Sequence, residues 1–143
     1  MNLTISLISI KFNEYNKLYF DGKLGHCKFM LLPKGNTAYG RYDRKIQNKK
    51  TTESRICFGR CIKWDEERFK EVLLHEMIHM YVETIEGKLH DGLFGHGWRF
   101  RRQCRRLRKQ YGIRVRSHIY YEYNNKKSSP KLWERIIMCL IDW

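Results

Sequence analysis

Between Trp64 and about Glu83 the chain runs without Gly or Pro, and its apolar residues recur at helical spacing. Phe69, Val72, Leu73, Leu74, Met77, Ile78, Met80, Tyr81 and Val82 wrap most of the way round such a helix, which predicts that it is buried on nearly all sides. Trp64-Asp65-Glu66-Glu67 opens it, with acidic side chains in the first turn where the helix dipole favours them. A second helical stripe, His96, Phe100, Cys104 (with Gln103 beside it), Leu107 and Tyr111, follows a Gly-rich loop.

The remaining pattern is shorter in period. Residues 2–20 read as an amphipathic helix, although the alternation Leu3-Ile5-Leu7 alone would also suit a strand. Residues 26–32 form a candidate strand closed by Pro33, and Lys34-Gly35-Asn36 a turn. A second strand is expected over 38–46, a polar hairpin loop from Gln47 to Glu53, and a third strand from Arg55 to Ile62. Residues 113–123 suggest one more strand or an extended segment, and 124–130 a polar linker. Leu132, Trp133, Ile136, Ile137, Met138 and Leu140 then mark a short amphipathic helix, docked on the body or free for a partner. These elements predict an α+β fold, a small antiparallel sheet packed with helices. Residues 1–123 make one domain, and 124–143 a linker and terminal helix that dock on it.

Chemistry enters with the central helix, which contains His75-Glu76-Met77-Ile78-His79. At about 3.6 residues per turn, His75 and His79 stack on one face and can close on a single Zn²⁺. Glu76 is offset as suits a carboxylate that takes a proton from water activated at a metal, rather than a third ligand. Two core histidines satisfied by hydrogen bonds are the bland alternative. Burying two His and a Glu among so many apolar neighbours is costly unless something binds them. A catalytic zinc needs a third protein ligand and an open position. His96, flanked by Gly95 and Gly97, begins the core-facing stripe of the next helix and is the stronger candidate. His90 lies in the loop with no such constraint, and Glu83 and Glu86 are rivals.

His75-Glu76-Met77-Ile78-His79, followed by Gly95-His96-Gly97-x-x-Phe100, resembles the SprT-like domain, the zinc protease domain of Spartan-type proteins. Phe12-Asn13 and Tyr19-Phe20-Asp21-Gly22-Lys23-Leu24 are similar to the opening of that family, and the likeness spans about residues 10–123. Gly40, the strand near Ile56 and Ile113-Arg114-Val115 also fall where the family places its small sheet and last strand. The resemblance implies a zincin-like metallopeptidase with one catalytic Zn²⁺ on His75, His79 and His96, and Glu76 as its base. It also implies substrates that are proteins bound or crosslinked to DNA. The chain departs from many relatives in having no Cys-x-x-Cys pair among Cys27, Cys57, Cys61, Cys104 and Cys139, so no second, structural zinc is expected. The loop before His96 is also longer than the minimal motif.

Net charge changes the picture of partners. With 29 Lys and Arg against 15 Asp and Glu, the chain carries +14, which draws it to polyanions such as nucleic acid. The cations cluster: Arg99, Arg102, Arg105, Arg106 and Lys109 share one predicted helix, with Arg114 and Arg116 close behind. These seven are the candidate DNA contacts. Tyr111, Tyr120, Tyr121 and Tyr123 could stack on the bases of a single strand or simply pack a sheet face. No long apolar face accompanies the arginines, which argues against a membrane surface. The odd cysteine count and the lack of a secretory signal point to reduced thiols and an intracellular protein, cytoplasmic or at the nucleoid or nucleus. A non-catalytic nucleic-acid-binding module with a structural zinc is the competing reading, which a fourth protein ligand would support.

Overall fold

A computed structural model describes residues 1–117. The Thr4 hydroxyl accepts the Leu7 amide at 3.2 Å and caps α1, Ile5–Phe20. The cap explains why the helix starts at Ile5 and why Leu3 stays outside it. Asp21, in the left-handed region at φ 53°, ends α1. The buried Asn16 side chain then clasps the exit, donating to Leu24 O at 2.9 Å and accepting the Leu24 amide at 3.1 Å.

Three strands follow: β1 (Lys28–Leu31), β2 (Gly40–Gln47) and β3 (Lys50–Phe58). Their order is β1-β3-β2, and the sheet is mixed where a wholly antiparallel one was expected. β2 and β3 form an antiparallel hairpin, while β1 and β3 are parallel, with Phe29 opposite Ile56. The segment after β1 carries the chain past the space beside it to the far edge, and β3 returns through that space. The hairpin is also tighter than its polarity suggests. Instead of a loop over Gln47–Glu53, a two-residue turn at Asn48 (φ 51°) and Lys49 (φ 61°) joins strands that stay paired up to it, with a register shift between Lys45 and Ile46. The polar side chains there face solvent from the arms of a hairpin, so their polarity marks an exposed sheet face and not a loop.

The Asp65 carboxylate accepts the Arg68 amide at 2.8 Å and starts α2, Glu66–Thr84, as the acidic run predicts. α2 crosses the sheet with Leu73, Leu74, Met77 and Ile78 fully buried. Below its start, the rings of Phe58, Trp64 and Phe69 pack on one another, and Trp64 donates to Gly59 O at 3.0 Å. A short turn of 3₁₀ helix, Leu93–Gly95, leads into α3, Trp98–Tyr111, which presents Phe100, Gln103 and Leu107 to the core and ends at Gly112 (φ 68°). Residues 113–117 run on without strand pairing. Val115 is buried, and Arg116 forms a two-pronged pair with Glu71 of α2 at 2.7 and 2.8 Å. The remainder of the expected last strand, the linker and the terminal helix lie outside the described residues, as do Tyr120, Tyr121, Tyr123 and Cys139. Among the described residues, no helix is long and apolar enough to cross a membrane.

Leu107 is fully buried between α3 and the body, whereas Ile10 on the outer face of α1 is 60% exposed. Leu107→Ala is expected to cost about 2–5 kcal/mol, and Ile10→Ala no more than about 0.5 kcal/mol. Urea denaturation with an unchanged slope checks both.

Candidate metal centre

The periodicity of α2 sets His75 above His79, and their Nε2 atoms stand 3.2 Å apart. His96, at the end of the glycine loop, brings its Nε2 to 3.1 Å from each. Phe100 is the floor on which the three imidazoles rest, its fully buried ring centred 4.9, 4.6 and 4.8 Å from those of His75, His79 and His96. His75 Nδ1 lies 2.9 Å from Arg116 O. Donation from Nδ1–H to that carbonyl leaves the Nε2 lone pair facing the other rings. Burial and the neighbouring His75, His96 and Arg44 hold His79 well below the usual histidine range, which keeps its ring neutral.

Three nitrogens facing one point cannot all satisfy one another with N–H donors. A cation at that point satisfies all three. Zinc–imidazole bonds of about 2.0–2.1 Å in a tetrahedral array put the ligand atoms about 3.3 Å apart. The observed 3.1–3.2 Å fits this, as do three imidazole nitrogens on a partly buried wall. Among the described residues, the cluster consists of His75, His79 and His96, with no fourth side chain.

Glu76 lines the same cleft, a space of about 500 Å³ bounded by α2, β2 and the glycine loop. Glu76 is only 6% exposed. Burial pushes its carboxyl up to about 8, against the Tyr42 backbone amide that donates to it. Gly40 at the start of β2 makes room for it. A Cβ there would stand 2.9 Å from Glu76 Oε1 and 2.6 Å from Val72 Cγ1. The rival ligands are engaged elsewhere. Glu83 is paired with Arg44, and Glu86 with Arg102 and Gln103. His90 borders the cleft but stands outside the cluster. Tyr81 packs its ring on Phe20 and does not line the cleft.

Comparison with known families agrees with this geometry. A family model described as the SprT-like family matches residues 8–124. The chain belongs to the SprT-like family. No curated protein matches it.

Sequence reasoning missed the residue that holds this SprT-like histidine triad together. Asp91 is buried, and its backbone carbonyl accepts the Gly97 amide at 2.7 Å, closing the neck of the loop that carries His96. Its carboxylate accepts the Phe100 amide at 2.7 Å and the Arg99 amide at 3.4 Å, so it caps α3 from six residues before the cap position. A cap is ordinarily sought one position before the helix, where Gly97 has no side chain to offer. Only the pairing Asp91-Gly92 hinted at a turn. Gly97 itself cannot be larger, since a Cβ would stand 2.7 Å from the Asp91 carbonyl carbon.

The seven basic candidates divide. Arg102 pairs with Glu86 and lies over the Trp98 ring at 4.5 Å. Arg106 donates to Tyr19 O at 2.8 Å and to Gln103 at 2.7 Å, and Arg116 is held by Glu71. Arg99 is half-buried, and Arg105, Lys109 and Arg114 are exposed. None of the seven lines the cleft.

Asp91→Ala removes an acceptor from two buried amides and is expected to cost about 1–3 kcal/mol. Zinc affinity should fall about 10–100-fold, as for other groups that orient metal ligands. Competition with a chromophoric chelator measures it, and Asp91→Asn, which keeps one acceptor oxygen, should lose less.

Proposed function

We propose that this SprT-like protein is a zinc-dependent endopeptidase that acts on proteins bound or crosslinked to DNA, with its exposed basic residues recruiting the DNA. The observation that carries the reading is the meeting of His75, His79 and His96 at one point on the wall of a cleft that also holds Glu76. A structural zinc site fills all four positions with protein ligands and has no use for an adjacent carboxylate. Here three ligands and a neighbouring base share an accessible cleft, which suits hydrolysis.

The three imidazoles would hold Zn²⁺, which when bound supplies Lewis acidity and brings the pKa of water toward neutrality. A bound dication in this cleft favours the ionised form of Glu76 against the rise that burial alone causes, and Glu76 would then take the proton of the attacking water and return it to the leaving amine. Phe100 and the Arg116 carbonyl fix the imidazoles, and Gly40 lets the Glu76 carboxylate lie flat against β2. The substrate backbone has a natural rail in β2, which has a strand neighbour on one side only among the described residues and whose residues Gly40, Arg41, Tyr42 and Arg44 border the cleft.

The net charge of +14 supports recruitment by a polyanion. Arg105, Lys109 and Arg114 are exposed, and so is Arg116, which Glu71 holds. Replacement of Arg105, Lys109 and Arg114 by Ala should weaken DNA binding while leaving the histidine triad intact.

Glu76→Gln should retain stoichiometric zinc and lose at least about a thousandfold in cleavage of a DNA-binding protein on single-stranded DNA. Equal background cleavage by both proteins would sink the peptidase reading. DNA-stimulated cleavage should fall steeply as salt rises from about 50 to 200 mM, whereas salt-insensitive proteolysis without DNA would remove the recruitment step.

A further inference from the structure

The loop that delivers His96 does more than span its two ends. Its neck is closed by the bond from the Gly97 amide to Asp91 O and by the contact of Gly92 with Gly97, where a Cβ on Gly92 would stand 2.7 Å from Gly97 Cα. Between the two ends the chain bulges out as Leu93-Phe94-Gly95. Both apolar side chains of the bulge point to solvent, Leu93 at 60% exposure and Phe94 at 67%. Phe94 is also at φ 55°, a backbone state that L-residues other than Asn and Asp rarely adopt and that bulky side chains adopt least. A large ring kept both exposed and in an unfavourable backbone conformation does nothing for folding that a smaller residue would not do better.

Its position gives it something to do. Phe94 lines the cleft, and among the described residues that do so it is the one large apolar side chain that is mostly exposed. Leu89 lies on the same wall, which is otherwise polar there, with Arg44, Lys88 and His90. The next residue, Gly95 (φ 73°), is pressed against the His79 ring, where a Cβ would be 3.1 Å from Cε1. Phe94 is therefore the residue next to the one that packs on His79, in the lining of the cleft that holds the three histidines.

We propose that Phe94, with Leu89 lining the same cleft, forms an apolar subsite that receives a hydrophobic side chain of the polypeptide in the cleft, close to the bond to be cut. The inference rests on the peptidase reading for its occupant, but binding can be measured without cleavage. Burying a Leu or Phe side chain against such a rim favours it over Ser by about tenfold or more.

The probe is a set of fluorescein-labelled decapeptides of Gly, Ser and Asn that carry Leu, Phe or Ser at the fifth position. They are titrated against the full zinc-loaded chain with Glu76→Gln, with and without Phe94→Asn. The Leu and Phe peptides should bind about tenfold tighter than the Ser peptide, and Phe94→Asn should bring that ratio below about threefold. Asn tolerates the left-handed region, so the melting temperature of Phe94→Asn should equal or exceed that of its parent. Equal binding of the three peptides by the protein with Phe94 intact overturns the proposal. A ratio that survives Phe94→Asn overturns it too, and a lowered melting temperature with that surviving ratio would make the ring a prop for the loop. If the zinc-loaded chain with Glu76 intact cuts no protein substrate while the ratio and its loss stand, the peptidase reading fails and the apolar subsite remains.

Discussion

Three imidazole nitrogens within 3.2 Å of one another, partly sealed from water, are the constraint around which this protein is arranged. Without a cation the lone pairs face each other and cannot be matched by the donors available. With one, each is satisfied. The cost of that convergence explains features that are otherwise unconnected. Gly40 and Gly95 are small because a carboxylate and an imidazole occupy the space a Cβ would take. Phe100 is fully buried because it is the surface on which all three rings rest. The Arg116 carbonyl fixes the tautomer of His75, and the Arg116 side chain is in turn anchored two-pronged to Glu71, one turn before His75 on the same helix. The orientation of a ligand thus depends on a segment 41 residues away.

The electrostatics serve the same end. Carboxylates close to a triad of neutral histidines compete to become ligands or to close the open position. Glu83 and Glu86, the two acids that follow His79 most closely, are both held by arginines, Arg44 and Arg102. Part of the positive charge is therefore spent inside the fold, on pairs that keep the site selective for imidazole. What is left over is on the surface, at Arg105, Lys109 and Arg114 among others, where it is available to a polyanion. The basic stripe of α3 is divided between side chains paired inside the fold and side chains exposed to solvent, and its sequence does not separate them. Arg106, which donates to Tyr19 O across to α1, looks from the sequence no different from Arg105.

Legibility followed the range of the interactions. The histidine pair, its glutamate, the N-cap of α2 and the core-facing stripe of α3 rest on spacing within one helix, and a periodic pattern carries that information directly. His96 could be selected over His90 because it shares the stripe of Phe100 and Leu107. What was not legible depends on contacts between distant segments or on backbone geometry. The parallel pairing of β1 with β3 is a matter of which edge the chain returns to, and no alternation encodes it. The Asn48-Lys49 turn was hidden because its strands are polar on their exposed face. Asp91 caps α3 across a six-residue gap, so the usual one-step signal was missing.

That gap is also what gives the loop its freedom. Because the neck is closed by Asp91 and the paired glycines Gly92 and Gly97, both ends of the segment that carries His96 are held, and within it the His96 amide donates to Leu93 O at 3.0 Å. A loop whose ends are held and whose tip is not is where recognition can vary while the chemistry stays constant. In this chain the tip carries Leu93 and Phe94, exposed and, for Phe94, conformationally unfavourable, directly beside a ring that must not move. Phe94 is thus placed where its side chain can meet an occupant of the cleft while the ends of the loop stay closed through Asp91, Gly92 and Gly97.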